Sequence, residues 1–375
     1  MEVRALASVN LAAIERNVGL LRRSAPTSQL CAVVKADGYG HGAVQAARAA
    51  LAGGAEWLAV ATAQEAVEIR GAGITSPLLV LGALTQSEVQ VAVGAGADIS
   101  AWSSEFLDRV VAGGGARVHI KLDTGMGRLG TRDQQLASDL AAVAAQSPGC
   151  RLVGVMTHFA TADERGDVFF DEQLDCFSQW SAPIAEANPG LLRHAANSAA
   201  LIRDRRSHFD MVRPGVACYG LDPFGEDPHA QQLEPAMELS SYLAAGKPCE
   251  VGQSVGYGRT FIASSPTMTG TIPVGYADGY KRVFSNNGDV LIGGKRFPIV
   301  GNVSMDNCSV DLGLNSDPVR LGDKAILLGA DGGEEITAEE LARQAGTINY
   351  EIVTSVSGRV PRRYHRDGAK VGDND

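Results

Sequence analysis

The chain lacks an excess of positive charge and any long uncharged hydrophobic run. Its 375 residues carry 33 Lys and Arg against 43 Asp and Glu, for a formal net charge of −10. Nucleic acids and anionic membranes require clustered basic residues, so neither is an expected partner. The first residues carry charges where a secretory signal would be apolar, and no uncharged apolar run reaches the roughly eighteen residues of a membrane span. We expect a cytoplasmic protein that acts on a small molecule.

Cysteine is also scarce, and its spacing is uninformative. The six cysteines are scattered along the chain, and none forms a Cys-x-x-Cys pair. This excludes the common zinc-binding patterns and gives no sign of a disulfide framework. We expect no metal site, and we interpret the cysteines as small buried hydrophobic residues.

What the chain does have is a long alternation of apolar runs with helix-compatible stretches. At 45% hydrophobic residues it has enough apolar material for two domains. Eight apolar runs predict strands at residues 30–35, 57–61, 78–82, 98–102, 118–122, 152–157, 192–197 and 209–213. Eight strand–helix units in about 220 residues predict a (β/α)8 TIM-type barrel over residues 1–232, although an open doubly wound sheet would give the same alternation.

The pattern changes near residue 233, where long helical periods give way to short segments between turns. Strands are predicted at residues 268–274, 289–292, 300–303 and 324–328. One helix is predicted to begin after Thr337, because Thr-x-x-Glu is a capping-box pattern. Residues 233–375 are therefore predicted to form a mostly β domain.

Polar residues follow several of the predicted barrel strands, where the functional groups of such barrels cluster. Lys35 stands at the end of the first strand. A lysine with a desolvated amine suits Schiff-base chemistry, whereas the simpler interpretation is a strand-end lysine that reaches solvent.

Nine strings stand out along the chain: VVKADGYGHG (33–42), KLDTGMGR (121–128), MTHF (156–159), HAANSAA (194–200), FDMVRPG (209–215), VGYGR (255–259), PVGYADG (273–279), SMD (304–306) and TINYE (347–351). They occur in the order typical of the alanine racemases and their pyridoxal-phosphate barrel relatives, and the sequence resembles that family over nearly its whole length.

The resemblance implies pyridoxal 5'-phosphate as cofactor, covalently held by Lys35. It assigns the cofactor phosphate to Tyr39, Ser198, Gly215, Val216 and Tyr350. Loops after the seventh and eighth strands are the usual phosphate site of such barrels, which agrees with this assignment. Arg213 resembles the residue that faces the pyridine nitrogen. A guanidinium does not readily give up a proton, so it should weaken the ring as an electron sink and favour racemisation over transamination.

Racemisation requires one group that removes the α-proton and another that delivers a proton to the opposite face. The resemblance assigns these roles to Lys35 and Tyr257. It links Tyr257 to His158 and, through His158, to Arg213, whose positive charge would help the phenol act as a base. The implied reaction is the conversion of L-alanine to D-alanine, which supplies peptidoglycan.

The resemblance further assigns the substrate carboxylate to Arg128 and the backbone N–H of Met305, and a narrow substrate entrance to Tyr276. Lys121 matches a position that some members carry as a carbamylated lysine; a lysine paired with Asp123 or with solvent is the alternative. Asn302 and the Asn307-Cys308 pair depart from the family pattern beside Met305, so they put the entrance shape in question.

The resemblance also implies a head-to-tail homodimer, in which Tyr257, Tyr276 and Met305 of one chain complete the site on the other chain's barrel. Three alternatives remain open. They are a barrel-type amino-acid decarboxylase, which Arg213 disfavours, a non-catalytic cofactor carrier, which would leave the region after the barrel without a role, and a racemase of serine or larger amino acids.

Overall fold

A computed structural model describes residues 3–314 and 319–371. Its contacts define two units: Ile14–Cys218 forms one, and the segment before Ile14 forms the other together with the chain from Tyr219 onward. The first unit contains a closed barrel of eight parallel strands. These are Gln29–Val33, Trp57–Val60, Leu78–Val80, Asp98–Ala101, Ala116–Lys121, Cys150–Met156, Leu192–His194 and Met211–Val212. The predicted barrel is confirmed, and the open-sheet alternative is wrong.

Helices follow most of the strands. Those up to residue 203 are Leu11–Ser24, Ala43–Ala52, Ala63–Gly71, Gln86–Gly94, Ser104–Ala112, Gln134–Gln146, Phe169–Ala187 and Ser198–Arg203. Side-chain caps fix where several begin: Thr62 and Thr85 each form a capping box with the glutamate three residues later. Such a cap contributes about 1 kcal/mol to helix stability.

Several barrel strands are buried on both faces, as expected for parallel strands covered by helices. Every residue of Trp57–Val60 and Leu78–Val80 is buried. Polar side chains interrupt this apolar core at Asp98, His119 and His194, which are completely buried. Buried polar groups require hydrogen-bond partners, and these three lie on strands that lead toward the site.

The second unit is built mainly from strands. One sheet runs in the order Lys295–Pro298, Asp289–Ile292, Lys324–Asp331, Met237–Tyr242, Leu6–Asn10, Arg362–Arg366 and Ala369–Lys370, with Glu334–Ile336 paired to Lys324–Asp331. A three-stranded sheet contains Ala245–Cys249, Thr267–Ile272 and Cys308–Asp311, and Ser254–Val255 pairs with Phe261–Ile262. This arrangement confirms the predicted mostly β character.

Two local predictions in this unit have different outcomes. The helix after Thr337 is confirmed as Ala338–Ala345, because the Thr337 hydroxyl accepts from Glu340 N–H. The strand predicted at residues 300–303 is wrong. The chain turns at Gly301, with φ of +75°, and a Cβ at this position would lie 2.5 Å from the Val255 carbonyl. A second helix, Asn349–Thr354, was not predicted. No helix in the described ranges is long and apolar enough to cross a bilayer.

Candidate active site

Lys35 begins a tight turn at the carboxyl end of the first barrel strand. The strand ends at Val33, two residues earlier than predicted. In the lysine turn, Lys35–Tyr39, the residues Ala36, Asp37 and Tyr39 have φ of 53°, 54° and 54°. Left-handed conformations are costly for residues other than glycine, so surrounding contacts must hold the turn.

Burial makes the Lys35 amine easier to deprotonate. Desolvation is the main cause that lowers its pKa, Arg128 lowers it further, and Glu65 opposes both. A larger neutral fraction makes the amine a better nucleophile and proton acceptor. The half-buried Lys35 therefore has the electrostatic environment of a reactive lysine.

The residues predicted to bind phosphate in the barrel unit lie together. The Ser198 hydroxyl oxygen accepts from the N–H groups of Gly215 and Ala217, at 2.9 and 3.3 Å. A Cβ on Gly215 would lie 2.3 Å from the Tyr39 hydroxyl, so only glycine fits there without displacing that ring. Val216 is fully buried beside them. The result is a cluster in which the Ser198 hydroxyl, its two backbone N–H donors and the Tyr39 hydroxyl lie close together.

Arg213 is buried at the end of the eighth strand and is held by four acceptors. It donates to the carbonyls of Thr157 and Ala195, at 2.8 and 3.1 Å. It also donates to Nδ1 of His194 at 2.9 Å and to Nδ1 of His158 at 3.4 Å. Desolvation lowers the pKa of Arg213 to about 10. Burial and the Arg213 charge hold the pKa values of both histidines well below their usual range, so both are neutral near pH 7.

A chain of hydrogen bonds extends from Arg213 through the barrel core. His194 Nε2 lies 2.8 Å from His119 Nδ1, and His119 Nε2 lies 3.1 Å from the Asp98 carboxylate. Asp98 is also paired with Arg117. Because Arg213 and Arg117 only donate and the carboxylate only accepts, every proton in the chain is directed from Arg213 toward Asp98. This network was missed in the sequence, although a polar residue inside an apolar barrel strand is a signal of it.

Lys121 and Arg128 lie on and after the fifth barrel strand. Desolvation, Arg213 and Arg128 lower the pKa of the buried Lys121 amine to about 8. Asp123, the predicted partner of Lys121 in the alternative interpretation, accepts hydrogen bonds from the N–H groups of Gly125 and Gly127. No ion pair joins Lys121 to Asp123 in the described structure, and Arg128 is exposed with no carboxylate partner among the described residues.

The remaining predicted site residues belong to the other unit. Tyr257 lies in a short helical turn with 75% of its surface exposed, and Tyr276 and Met305 are 43% and 53% exposed. Backbone hydrogen bonds join Tyr276 to Ser304 and Ala277 to Met305. Tyr350 lies in the helix Asn349–Thr354.

Asn302, which departs from the family pattern, has a clear local role. Its side-chain amide donates to the Tyr257 carbonyl at 2.7 Å. This bond ties the Tyr257 turn to the loop that carries Met305, so the departure affects how those two residues are held.

The fold and the site define a class of protein: a (β/α)8 barrel with a desolvated lysine and a buried arginine at its strand ends, together with a mostly β unit. Residues 9–223 match the family model described as alanine racemase, N-terminal domain, and residues 236–364 match alanine racemase, C-terminal domain. The chain belongs to the alanine racemase family.

Individual relatives agree over nearly the whole length. An alanine racemase of Symbiobacterium thermophilum is 43% identical over 364 residues, covering 96% of each chain. The crystal structure of alanine racemase from D-cycloserine-producing Streptomyces lavendulae has a TM-score of 0.92 at 40% identity and covers 97% of this chain and 98% of that one. An alanine racemase of Bacillus anthracis with bound L-Ala-P has a TM-score of 0.90 at 36% identity, with 99% and 97% covered.

Proposed function

We propose that the protein interconverts L- and D-alanine with pyridoxal 5'-phosphate as cofactor and with Lys35 and Tyr257 as the two proton-transfer groups. One observation carries the proposal: the barrel unit contains a lysine of lowered pKa, a cluster of Ser198, Gly215 and Tyr39, and a buried arginine. The Bacillus anthracis relative with bound L-Ala-P supports a ligand of alanine size.

The residues present fit this cofactor. The Ser198 oxygen already accepts two N–H bonds, so its own hydrogen is available to an anion such as phosphate. Tyr39, Gly215 and Val216 would complete the phosphate pocket, together with Tyr350. Pyridoxal phosphate, when bound, supplies an electron-withdrawing ring that acidifies the α-proton of an attached amino acid. Arg213 would face the ring nitrogen, where it offers N–H donors and no readily transferable proton.

The Nζ atom of Lys35 accepts or returns the proton on one face of the substrate α-carbon. The lowered pKa of this amine favours its role as a proton acceptor. Tyr257 from the partner chain serves the opposite face at its phenol oxygen. His158 would orient that phenol. Since its Nδ1 accepts from Arg213, its hydrogen lies on Nε2, from which it can donate to a phenolate. Arg213 thereby supports the tyrosine through His158.

Substrate recognition would rest on Arg128, Met305 and Tyr276. The exposed Arg128 guanidinium would bind the substrate carboxylate as a two-point donor, assisted by the Met305 N–H, and Tyr276 would narrow the entrance. The Lys121 amine, with pKa lowered to about 8, is prone to carbamylation by CO2. The resulting negative charge would orient Arg128.

This assignment gives two active sites per head-to-tail homodimer. The enzyme would act in the cytoplasm and supply D-alanine for peptidoglycan. The exposure of Tyr257 and Met305 supports their use by a partner chain.

Two measurements test the proposal. An absorbance band of the cofactor–lysine adduct should form with the wild type and not with Lys35→Ala. Mixing inactive Lys35→Ala and Tyr257→Phe subunits should restore one working site per heterodimer. No recovery after verified subunit exchange would argue for sites formed within one chain.

A further inference from the structure

The lysine turn requires restraints beyond its own backbone. Three of its residues other than glycine have left-handed φ values. Each such residue costs on the order of 1–3 kcal/mol and persists where neighbouring contacts impose the conformation. Ala36 directly follows Lys35, so whatever holds the Ala36 N–H also restrains the backbone that aims the Lys35 side chain.

Glu65 provides that contact from the first turn of the helix Ala63–Gly71. One of its carboxylate oxygens accepts from Ala36 N–H at 2.7 Å. The other accepts from the N–H groups of Ala61 and Thr62, at 2.7 and 3.1 Å. Glu65 is therefore both the capping-box residue of its own helix and a bridge to the lysine turn, 29 residues earlier in the chain.

The next helix carries the same capping box without the bridge. Thr85 and Glu88 form the reciprocal bonds. Within the described residues, the Glu88 carboxylate accepts from the N–H and the hydroxyl of Thr85. Both helices contain nine residues. The chain thus contains a matched pair of caps, of which one contacts the lysine turn.

The charges that face Lys35 make Glu65 distinctive. Arg128 lowers the pKa of the Lys35 amine, and Lys121 and His158 also interact with that amine electrostatically. The negative charge of Glu65 has the opposite effect and raises the pKa of the Lys35 amine. Its charge limits how far burial and the surrounding cations favour the neutral amine.

We propose that Glu65 is a positioning residue for Lys35: its carboxylate fixes the lysine turn through the Ala36 N–H and balances the positive groups around the amine. This inference rests on the proposed function, in which Lys35 holds the cofactor. Glu65 contacts the backbone beside Lys35 and needs no contact with substrate.

The test compares Glu65→Gln with Glu88→Gln. Both changes weaken one cap, so both should lower the melting temperature, and Glu65→Gln should lower it further because it also weakens the bond to Ala36. Only Glu65→Gln should speed amide hydrogen exchange in the peptide covering the lysine turn, by about tenfold, the equivalent of one lost hydrogen bond to a charged acceptor. Only Glu65→Gln should also move the pH midpoint of pyridoxal-phosphate adduct formation at Lys35, trapped with borohydride and located by mass spectrometry, to lower pH.

Equal exchange and equal pH midpoints in the two variants would overturn the inference. If borohydride does not trap the cofactor on Lys35 in the wild type, the proposed function is refuted. Amide hydrogen exchange in the cofactor-free protein would still test whether Glu65 restrains the lysine turn. If Glu65→Gln does not fold, Glu65→Asp keeps the charge on a shorter side chain. Faster exchange is again expected, and wild-type exchange would contradict the proposal.

Discussion

Replacing His194 with leucine should destabilise the barrel unit far more than replacing an ordinary buried histidine. His194 is completely buried, accepts from the Arg213 guanidinium and donates to His119. Leucine has a similar size but cannot form either bond. The change therefore removes the acceptor of a buried charged donor and disconnects Arg213 from Asp98.

The magnitude follows from the two bonds. The bond from a charged donor contributes about 1.5–3 kcal/mol and the bond between the imidazoles about 1 kcal/mol, so the expected loss is about 2–4 kcal/mol. His208 is the matched control, because it is also buried and its Nε2 atom forms a hydrogen bond of 2.8 Å with the Leu201 carbonyl. His208→Leu should cost about 1 kcal/mol.

Denaturant unfolding of both variants, without and with Asp98→Asn, measures the difference. Once His194→Leu has interrupted the hydrogen-bond network, Asp98→Asn should lower the free energy of unfolding by less than it does in the wild type. The expected difference, which is the coupling energy between the two residues, is about 1 kcal/mol. Equal losses in the His194 and His208 variants, together with additive effects of Asp98→Asn, would refute the coupled network.

Three further predictions concern the same site. The two histidines that contact Arg213 have depressed pKa values, so the stability linked to their neutral forms is complete above about pH 6.5. It should fall by about 1.4 kcal/mol per pH unit for each as the pH drops below that value, and a flat unfolding free energy between pH 6.5 and 5 would contradict this. Intact-protein mass should show CO2 on Lys121 in bicarbonate buffer and its loss after acidification, whereas an unmodified ammonium would refute carbamylation. Gly215→Ala should weaken cofactor binding at least about tenfold by displacing Tyr39, while Gly94→Ala, whose Cβ meets nothing within 4 Å, should leave binding unchanged.

Much of the fold was predictable because its signals are local. Buried strands appear in the sequence as short apolar runs, and residues 57–60 of the parallel barrel and 289–292 of the antiparallel sheet were located closely for that reason. The strand Leu6–Asn10 was missed. It pairs with Met237–Tyr242 and Arg362–Arg366, and partners so distant in sequence leave no local pattern.

The motif strings named candidate site residues, but they did not show the contacts that hold those residues in place. The motif strings pointed to Lys35 and Arg213, which stand at strand ends. Glu65 looks in the sequence like an ordinary capping residue, and its bond to Ala36 depends on how the helix Ala63–Gly71 lies against the lysine turn. The tautomers of His119 and His194 likewise follow from three-dimensional contacts with charged groups at both ends of the network.

The most direct test of the account is to incubate the purified protein, loaded with pyridoxal phosphate, with L-alanine in deuterated water. Optical rotation and deuterium at the α-carbon are followed together, with Lys35→Ala as the control. Rotation should decay to zero while the α-position becomes deuterated, and neither change should occur in the control. Unchanged rotation without exchange, or release of CO2, would contradict it.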